Sequence, residues 1–540
     1  MTGNPRAPRS LLYGLAAVVA TFVARGLFYS DFVPLWDGRL YADCVTSAAA
    51  HGLEFSQLNC FDHASIAYIG VLALPQLLAP GSYPLLLLTN LLLGAMALVY
   101  FFRTARVLYP GDEQRLICLL ATAAFSVHPV LLASAVNTNV DYGVLVFYIP
   151  VLYYTLRAQW VRAMLFGVAL VFSKESGVVL MGILGAAYLA THVLPEDGLR
   201  AKWLKLRPTL WALIPPTLLA IHFLNKPRPR TGSALWKGVS PAALLGLLSP
   251  VVTDPSILLN YLIGIFVLSF QWIPTLVIAA AGALWLRARF AGDTRLREEH
   301  RAQTLIALTF AASTYVLTRF PTFLNVRYFL PLAPLLLLLA QQAATTLARR
   351  SVQVAGWSLL SVVLLVSNYY TVDPVSSRLF GTFLMQEHRL LKMTSLSQEC
   401  CGFGRDQLVY NMQFTQFHYL QNQIYEDLQP TEKNFLTGTI YPDFYFAGPL
   451  DPLTFHRSLR DGPGSIHNRW LSNLDLLTAA ELPQSAYYIA LPNLPSQDSF
   501  IERLYSVVAR KAYSRRGYGV EVFELALRPD ARAILRQVTR

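Results

Sequence analysis

Nineteen consecutive residues of this chain, 84–102, carry no charge: PLLLLTNLLLGAMALVYFF. A hydrocarbon layer about 30 Å thick takes roughly 20 helical residues to cross. Inside it every backbone N–H and C=O must pair within the protein, which a helix achieves by itself. Apolar runs of this kind recur from Leu11 to Asn368, so the expected fold class is a polytopic α-helical membrane protein. The whole chain agrees, being 54% hydrophobic and only 14% charged, with a mean hydropathy of +0.41, well outside the charge content of soluble domains. From about 371 the composition becomes ordinary, which divides the chain into a transmembrane domain, 1–370, and a soluble C-terminal domain, 371–540. The opening MTGNPRAPRS and the run behind it have the outline of a signal peptide, but no small-residue cleavage site precedes Asp37 and further spans follow. Leu11–Tyr29 is therefore read as an uncleaved first helix.

The formal net charge of +12 is not a nucleic-acid signature, because the basic residues fall mostly in short loops between apolar spans, where they report topology. With Arg6 and Arg9 placed in the cytoplasm, eighteen Lys and Arg fall on inner segments and nine on outer segments before 371. Parity then decides three ambiguous stretches. Ile66–Phe102 crosses once, with Ile66–Leu78 along the surface or re-entrant. Trp160–Leu194 crosses twice, with Lys174 and Glu175 of SKESG at the outer turn. Pro255–Trp285 crosses once despite its QWIP interruption. The sum is about eleven crossings with an extracytoplasmic C-terminal domain. Four of the five cysteines then face an oxidising compartment: Cys44 and Cys60 flank the first outer loop, and Cys400 and Cys401 lie in the tail. Bridges Cys44–Cys60 and Cys400–Cys401, or free thiols, all stay open.

Ionisable groups at the lip of a bilayer are expensive and default to functional candidates. Here they gather on one side. Asp37 in LWDGRLYADC, Asp141 in NTNVDYG, Lys174 in SKESG and Arg327 in NVRYFLPLAP all fall at outer helix ends or the loops joining them. An isolated carboxylate beside cations, within reach of lipid, suits transfer of a group from a lipid phosphate. The carboxylate takes the acceptor's proton, and Lys and Arg stabilise the charge on the departing phosphate.

These segments, in this order, resemble the GT-C superfamily of integral membrane glycosyltransferases, particularly the lipid A aminoarabinose transferases and protein O-mannosyltransferase-like enzymes. The segments are LWDGRLYADCVTSAAAHG, HPVLLASAVNTNVDYGVLVFY, LVFSKESGVVL and NVRYFLPLAPLLLLL, and the resemblance spans roughly residues 10–370. It implies a GT-C-like membrane domain that moves a sugar from a polyprenyl-phosphate donor to an extracytoplasmic glycan, lipid or protein, with inversion at the anomeric carbon. Carried over residue by residue, Asp37 corresponds to the acid that acts as base or orients the acceptor, and Asp141 to a second acid. Lys174 and Arg327 correspond to contacts with the donor phosphate. Tyr41, four residues after Asp37, shares its face if the loop is helical. Arg39, Glu175 and Tyr328 complete the substrate-binding set. The chain departs from the pattern at 37–38, where many relatives carry an acidic pair and this one has Asp-Gly. That leaves Asp31 and Asp43 as rivals for the base.

Blander readings stand beside these. Asp43 caps or solvates a loop helix; Asp62 and His63 form a cap rather than a metal site; Lys174 and Glu175 pair with each other; Arg25 snorkels or meets a phosphate. The basic NKPRPRTGSALWK is a surface loop over the site. In the tail, DQLVYNM, AYYIALP and YGVEVFELAL read as strands, and FTQFHYLQNQIYEDL and SFIERLYSVVARKA as helices, a C-terminal α/β domain. Tyr441, Phe444, Tyr445 and Trp470 stack on sugars or, more simply, pack in its core. No Gly-rich nucleotide loop is visible, which suits a lipid-linked donor. No cofactor is assigned, and a divalent metal stays open because some members of the wider superfamily use one. The membrane expected is the bacterial plasma membrane, with the site facing the periplasm or cell exterior. The alternatives are a lipid or oligosaccharide transporter, or an inactive GT-C-fold assembly partner.

Overall fold

The computed structural model describes residues 9–30, 32, 34, 37–60, 63–225, 255–290, 301–319, 326–370, 373–376 and 378. In the tail it describes single positions between 408 and 428, then 433–437, 470–472, 481–490 and 498–538. Asp31, Asp62, the basic segment 226–237, Cys400, Cys401, Tyr441, Phe444 and Tyr445 lie outside the described residues.

All the regular secondary structure described before 371 is helical. The first, α1 (Arg9–Leu27), packs on α5 (Tyr83–Leu108), which contains the uncharged run 84–102. Between them lie α2 (Asp37–Ala50), α3 (Phe55–Leu58) and α4 (Ile66–Gln76). Then come α6 (Arg115–Ser126), α7 (Pro129–Val136), α8 (Val140–Leu156), α9 (Trp160–Val171), α10 (Ser176–Tyr188), α11 (Leu199–Thr209) and α12 (Ile214–Asn225). After the undescribed stretch follow α13 (Pro255–Phe266), α14 (Trp272–Phe290), α15 (Arg301–Leu317), a 3₁₀ turn (Val326–Phe329), α16 (Leu332–Leu347) and α17 (Arg350–Ser367).

Four of the described helices are long and apolar enough to cross a membrane, or five if α6 and α7, bent by 52° at His128-Pro129, form one span. These are the helices of an integral membrane protein. Several others are apolar but shorter, because the chain breaks them. Trp160–Leu194 forms two helices about the Lys174 turn, and Pro255–Trp285 breaks at 267–271, where Ser269 and Phe270 take φ of 56° and 60°. Helix α4 spans only 11 residues and packs against α2 and α5. The number eleven remains an expectation of the charge pattern.

Helix α8 has no polar face, since it is buried nearly all round, which is what a helix hydrophobic on every side requires. A polar clip fixes its position. The Tyr68 hydroxyl donates to Asn90 Oδ1 at 2.8 Å and the Tyr142 hydroxyl to the Asn90 carbonyl at 3.0 Å, both fully buried. Gly143 lies flat against the Tyr68 ring, where a Cβ would come within 2.7 Å of it. Cys44 and Cys60 are joined in a disulfide, which removes the free-thiol alternative for this pair; Cys118 is free and buried.

The tail carries a five-stranded sheet in the order β2-β1-β3-β5-β4, formed by β1 (Asn434–Thr437), β2 (Trp470–Ser472), β3 (Ser485–Ala490), β4 (Tyr505–Arg515) and β5 (Tyr518–Leu527). Helices α18 (Asp498–Leu504) and α19 (Ala531–Val538) accompany it. Strands β1, β2 and β3 are parallel, and β5 runs antiparallel to β3 and β4. Two expectations are corrected. The described residues of DQLVYNM, Leu408 and Met412, are helical, and both pack against the membrane domain. The segment SFIERLYSVVARKA is helical only to Leu504; from Tyr505 it pairs with β5.

Candidate active site

Helix α2 begins at Asp37, so its first-turn N–H groups stand beside a carboxylate, the favourable sign for a helix N-terminus. Gly38 lets that turn approach the next element. A Cβ there would overlap the Asn137 carbonyl oxygen and side chain, which accounts for glycine where the resembled family often has a second acid. From Asn137 the chain passes through Thr138, whose φ of 28° is rare for a β-branched residue. It reaches Asn139, whose side chain accepts from the Asp141 N–H at 3.0 Å. This cap sets Asp141 in the first turn of α8. Lys174 comes from the α9–α10 turn, and Arg327 and Tyr328 from the 3₁₀ turn before α16.

Four charges from these four segments form one chain. The Arg327 Nη2 group donates to Asp37 Oδ2, and Arg327 Nε stands 3.5 Å from Asp141 Oδ2. Lys174 Nζ donates to Asp141 Oδ1 at 2.6 Å. The Tyr328 ring lies under both cations, with Lys174 Nζ 4.8 Å and the Arg327 guanidinium carbon 5.5 Å from its centre. Exposure separates the two acids. The Asp37 side chain is 45% exposed, whereas Asp141 is 8% and Arg327 4% exposed. A molecule arriving from solvent reaches Asp37, while Asp141 is enclosed between the cations it holds.

The remaining residues of the predicted set divide. Tyr41 follows Asp37 by one turn and is buried. Burial, then the negative charges of Asp37 and Asp141, push its phenol well above its usual value, so it stays a hydrogen-bond donor and is no base. Arg39 is buried and faces Asp43 at 3.2 Å, which gives Asp43 a partner one turn along its own helix. Glu175 does not pair with Lys174. Its Oε2 accepts from His63 Nδ1 at 3.0 Å and its Oε1 from the Ala64 N–H at 2.8 Å. Burial raises the Glu175 carboxyl, but the His63 hydrogen bond and charge with the backbone donors outweigh it and leave the group below its usual value. His63 is thus a structural partner of the site that local sequence could not identify, because its partner lies 112 residues away. Asn137 and Asn139 are likewise newly implicated. Among the described residues no group of three or more His, Cys, Asp or Glu is placed to hold a metal.

No protein-family model matches this chain, and no curated protein matches it. Among solved structures it is similar to ArnT from Cupriavidus metallidurans bound to undecaprenyl phosphate, at 15% identity and a TM-score of 0.48 over 96% of this chain and 98% of that one. It is also similar to the archaeal oligosaccharyltransferase AglB from Archaeoglobus fulgidus in complex with an inhibitory peptide and a dolichol-phosphate, at 10% identity and a TM-score of 0.40 over 95% of this chain and 74% of that one. Both are GT-C glycosyltransferases. With TM-scores below 0.5, these likenesses leave activity to the site's own residues.

Proposed function

We propose that the protein is a glycosyltransferase that moves a sugar from a polyprenyl-phosphate donor to an extracytoplasmic acceptor. The observation that carries this is the chain of ion pairs, in which one exposed carboxylate, Asp37, is joined through Arg327 to an enclosed Asp141–Lys174 pair. Its four formal charges cancel. A donor phosphate that draws on Arg327 and Lys174 therefore weakens the Arg327–Asp37 pair in the same act, and couples donor binding to the basicity of Asp37.

The reaction is a single displacement. Asp37 takes the proton of the acceptor hydroxyl or amine, the acceptor atom bonds to the anomeric carbon, and the bond from that carbon to the phosphate oxygen breaks. The polyprenyl phosphate leaves with an added negative charge that Arg327 and Lys174 stabilise. Asp141 touches neither reactant in this scheme and serves to aim the two cations. The resemblance in the first outer loop supports Asp37 as base, and the absence of a nucleotide loop supports a lipid-linked donor.

The test is sugar transfer by membranes supplied with radiolabelled polyprenyl-phosphate sugars, with wild type and Asp37→Asn at matched abundance. Loss of a general base costs about 10²–10⁴-fold in rate, so the variant is expected to fall by that amount while still binding donor. Equal transfer would remove Asp37 from the role. No transfer from any donor by wild type, with uptake or flipping of the lipid instead, would establish a transporter.

A further inference from the structure

We infer that Glu175 and His63 are positioning residues, and that the Cys44–Cys60 disulfide completes a ring of contacts that keeps Lys174 in register with Asp37 while donor is bound. What the ring serves rests on the glycosyltransferase reading; its existence does not.

Asp37 is connected to Lys174 by more than one route. The direct one runs through Arg327 and Asp141. Every link in it contains Arg327 or Lys174, the cations a phosphate would recruit, so it loosens at the moment when geometry matters most. The second route uses neither Arg327 nor Asp141. Asp37, Tyr41 and Cys44 follow one another at i, i+4 and i+7 on α2 and share a face. Cys44 is bonded to Cys60, whose N–H donates to Ser65 Oγ at 2.9 Å. The segment 63–67 is then tied to the Lys174 turn three times: His63 Nδ1 to Glu175 Oε2 at 3.0 Å, Ala64 N–H to Glu175 Oε1 at 2.8 Å, and Ala67 N–H to the Phe172 carbonyl at 2.8 Å. Glu175 is the residue next to Lys174, so a grip on both its oxygens is a grip on the turn. Geometry held to within fractions of an ångström is what catalysis by positioned charges demands.

The experiment uses the full-length protein in lipid nanodiscs, with hydrogen exchange read with and without undecaprenyl phosphate. Replacing the disulfide by Cys44→Ala with Cys60→Ala is expected to speed amide exchange across 172–178 by at least about fivefold, because local opening reports the loss of distant ties. If that pair of changes prevents folding, Glu175→Ala reads the ring from its other side and is expected to speed exchange across 37–44. In transfer assays Glu175→Ala is expected to raise the donor KM about tenfold and lower kcat less than about threefold, and Glu175→Gln, which keeps an acceptor for Ala64, to restore the KM. Unchanged exchange at 172–178 without the disulfide overturns the ring, whatever the transfer data show. A fall in kcat at constant KM, unrelieved by Glu175→Gln, overturns the positioning role. Failure of the glycosyltransferase reading would appear separately, as no transfer from any donor by the wild-type protein.

Discussion

Gly38 shows what one missing methyl group permits. The first turn of α2 lies against the Asn137 carbonyl, and this approach lets Asp37 and Asp141, 104 positions apart, share Arg327. Gly38→Glu would restore the acidic pair common in the resembled family, yet it is expected to abolish transfer and to destabilise the protein by about 1–3 kcal/mol, the usual cost of forcing atoms into a filled site. Transfer activity and thermal unfolding at matched expression check this; an active, stable Gly38→Glu protein would mean that α2 and Asn137 do not meet. The acids and cations were legible in the sequence because charges at the edge of apolar runs are conspicuous. Their pairings were not. Lys174 and Glu175 are neighbours that look like partners, but each turns to a residue far off in sequence, Asp141 and His63. Such choices are made by packing between helices, which local pattern does not encode.

Among elements, helices with long uncharged runs were the most readable and broken ones the least. The hairpin of β4 and β5 makes the reason visible. Residues 506–512 of β4, between the buried Tyr505 and Tyr513, are all exposed, so the middle of this edge strand lacks the period-two alternation by which a strand declares itself. Its Arg, Lys and Ala then fit a helical pattern equally well, and only the ladder with β5 decides. The turn that starts this ladder is Arg516-Gly517, both with positive φ, 48° and 79°, as in the two-residue hairpin turns that favour Asn-Gly. Gly517→Val is therefore expected to destabilise the hairpin by about 1–2 kcal/mol, the cost of a left-handed conformation for a residue with a Cβ, and Arg516→Asn to stabilise it. Hydrogen exchange at the β4 amides would read both signs. If both changes were neutral, the turn would lie elsewhere and the register with it.

For the whole molecule, the decisive quantity is sidedness, and the tertiary contacts sharpen it. The Asn368 amide, just past α17, donates to the Val127 carbonyl at the α6–α7 bend, and Asp373 accepts from the Phe270 N–H at the α13–α14 break at 3.1 Å. His128 at that bend and Gln271 at that break are hydrogen bonded at 2.7 Å, and they line one cavity with Val326 and Phe329. Those two residues flank the Arg327 that reaches Asp37. The chain just after α17 and the charged site therefore occupy the same end of the helices, while the basic Arg349 and Arg350 begin α17 at its other end. On the positive-inside rule, we propose that this other end, with its excess of Lys and Arg, faces the cytoplasm. The expected outcome follows for single cysteines placed in a Cys400→Ser, Cys401→Ser background. Val508→Cys, 63% exposed on β4, reacts with a membrane-impermeant maleimide in intact cells. Lys202→Cys, on α11 where no residue is buried, reacts only after permeabilisation. The reverse pattern would turn the whole protein over and place Asp37 where a sugar donor would have to be presented from the cytoplasm. Labelling of both sites from outside would break the parity count between α11 and the tail and require one crossing fewer or more.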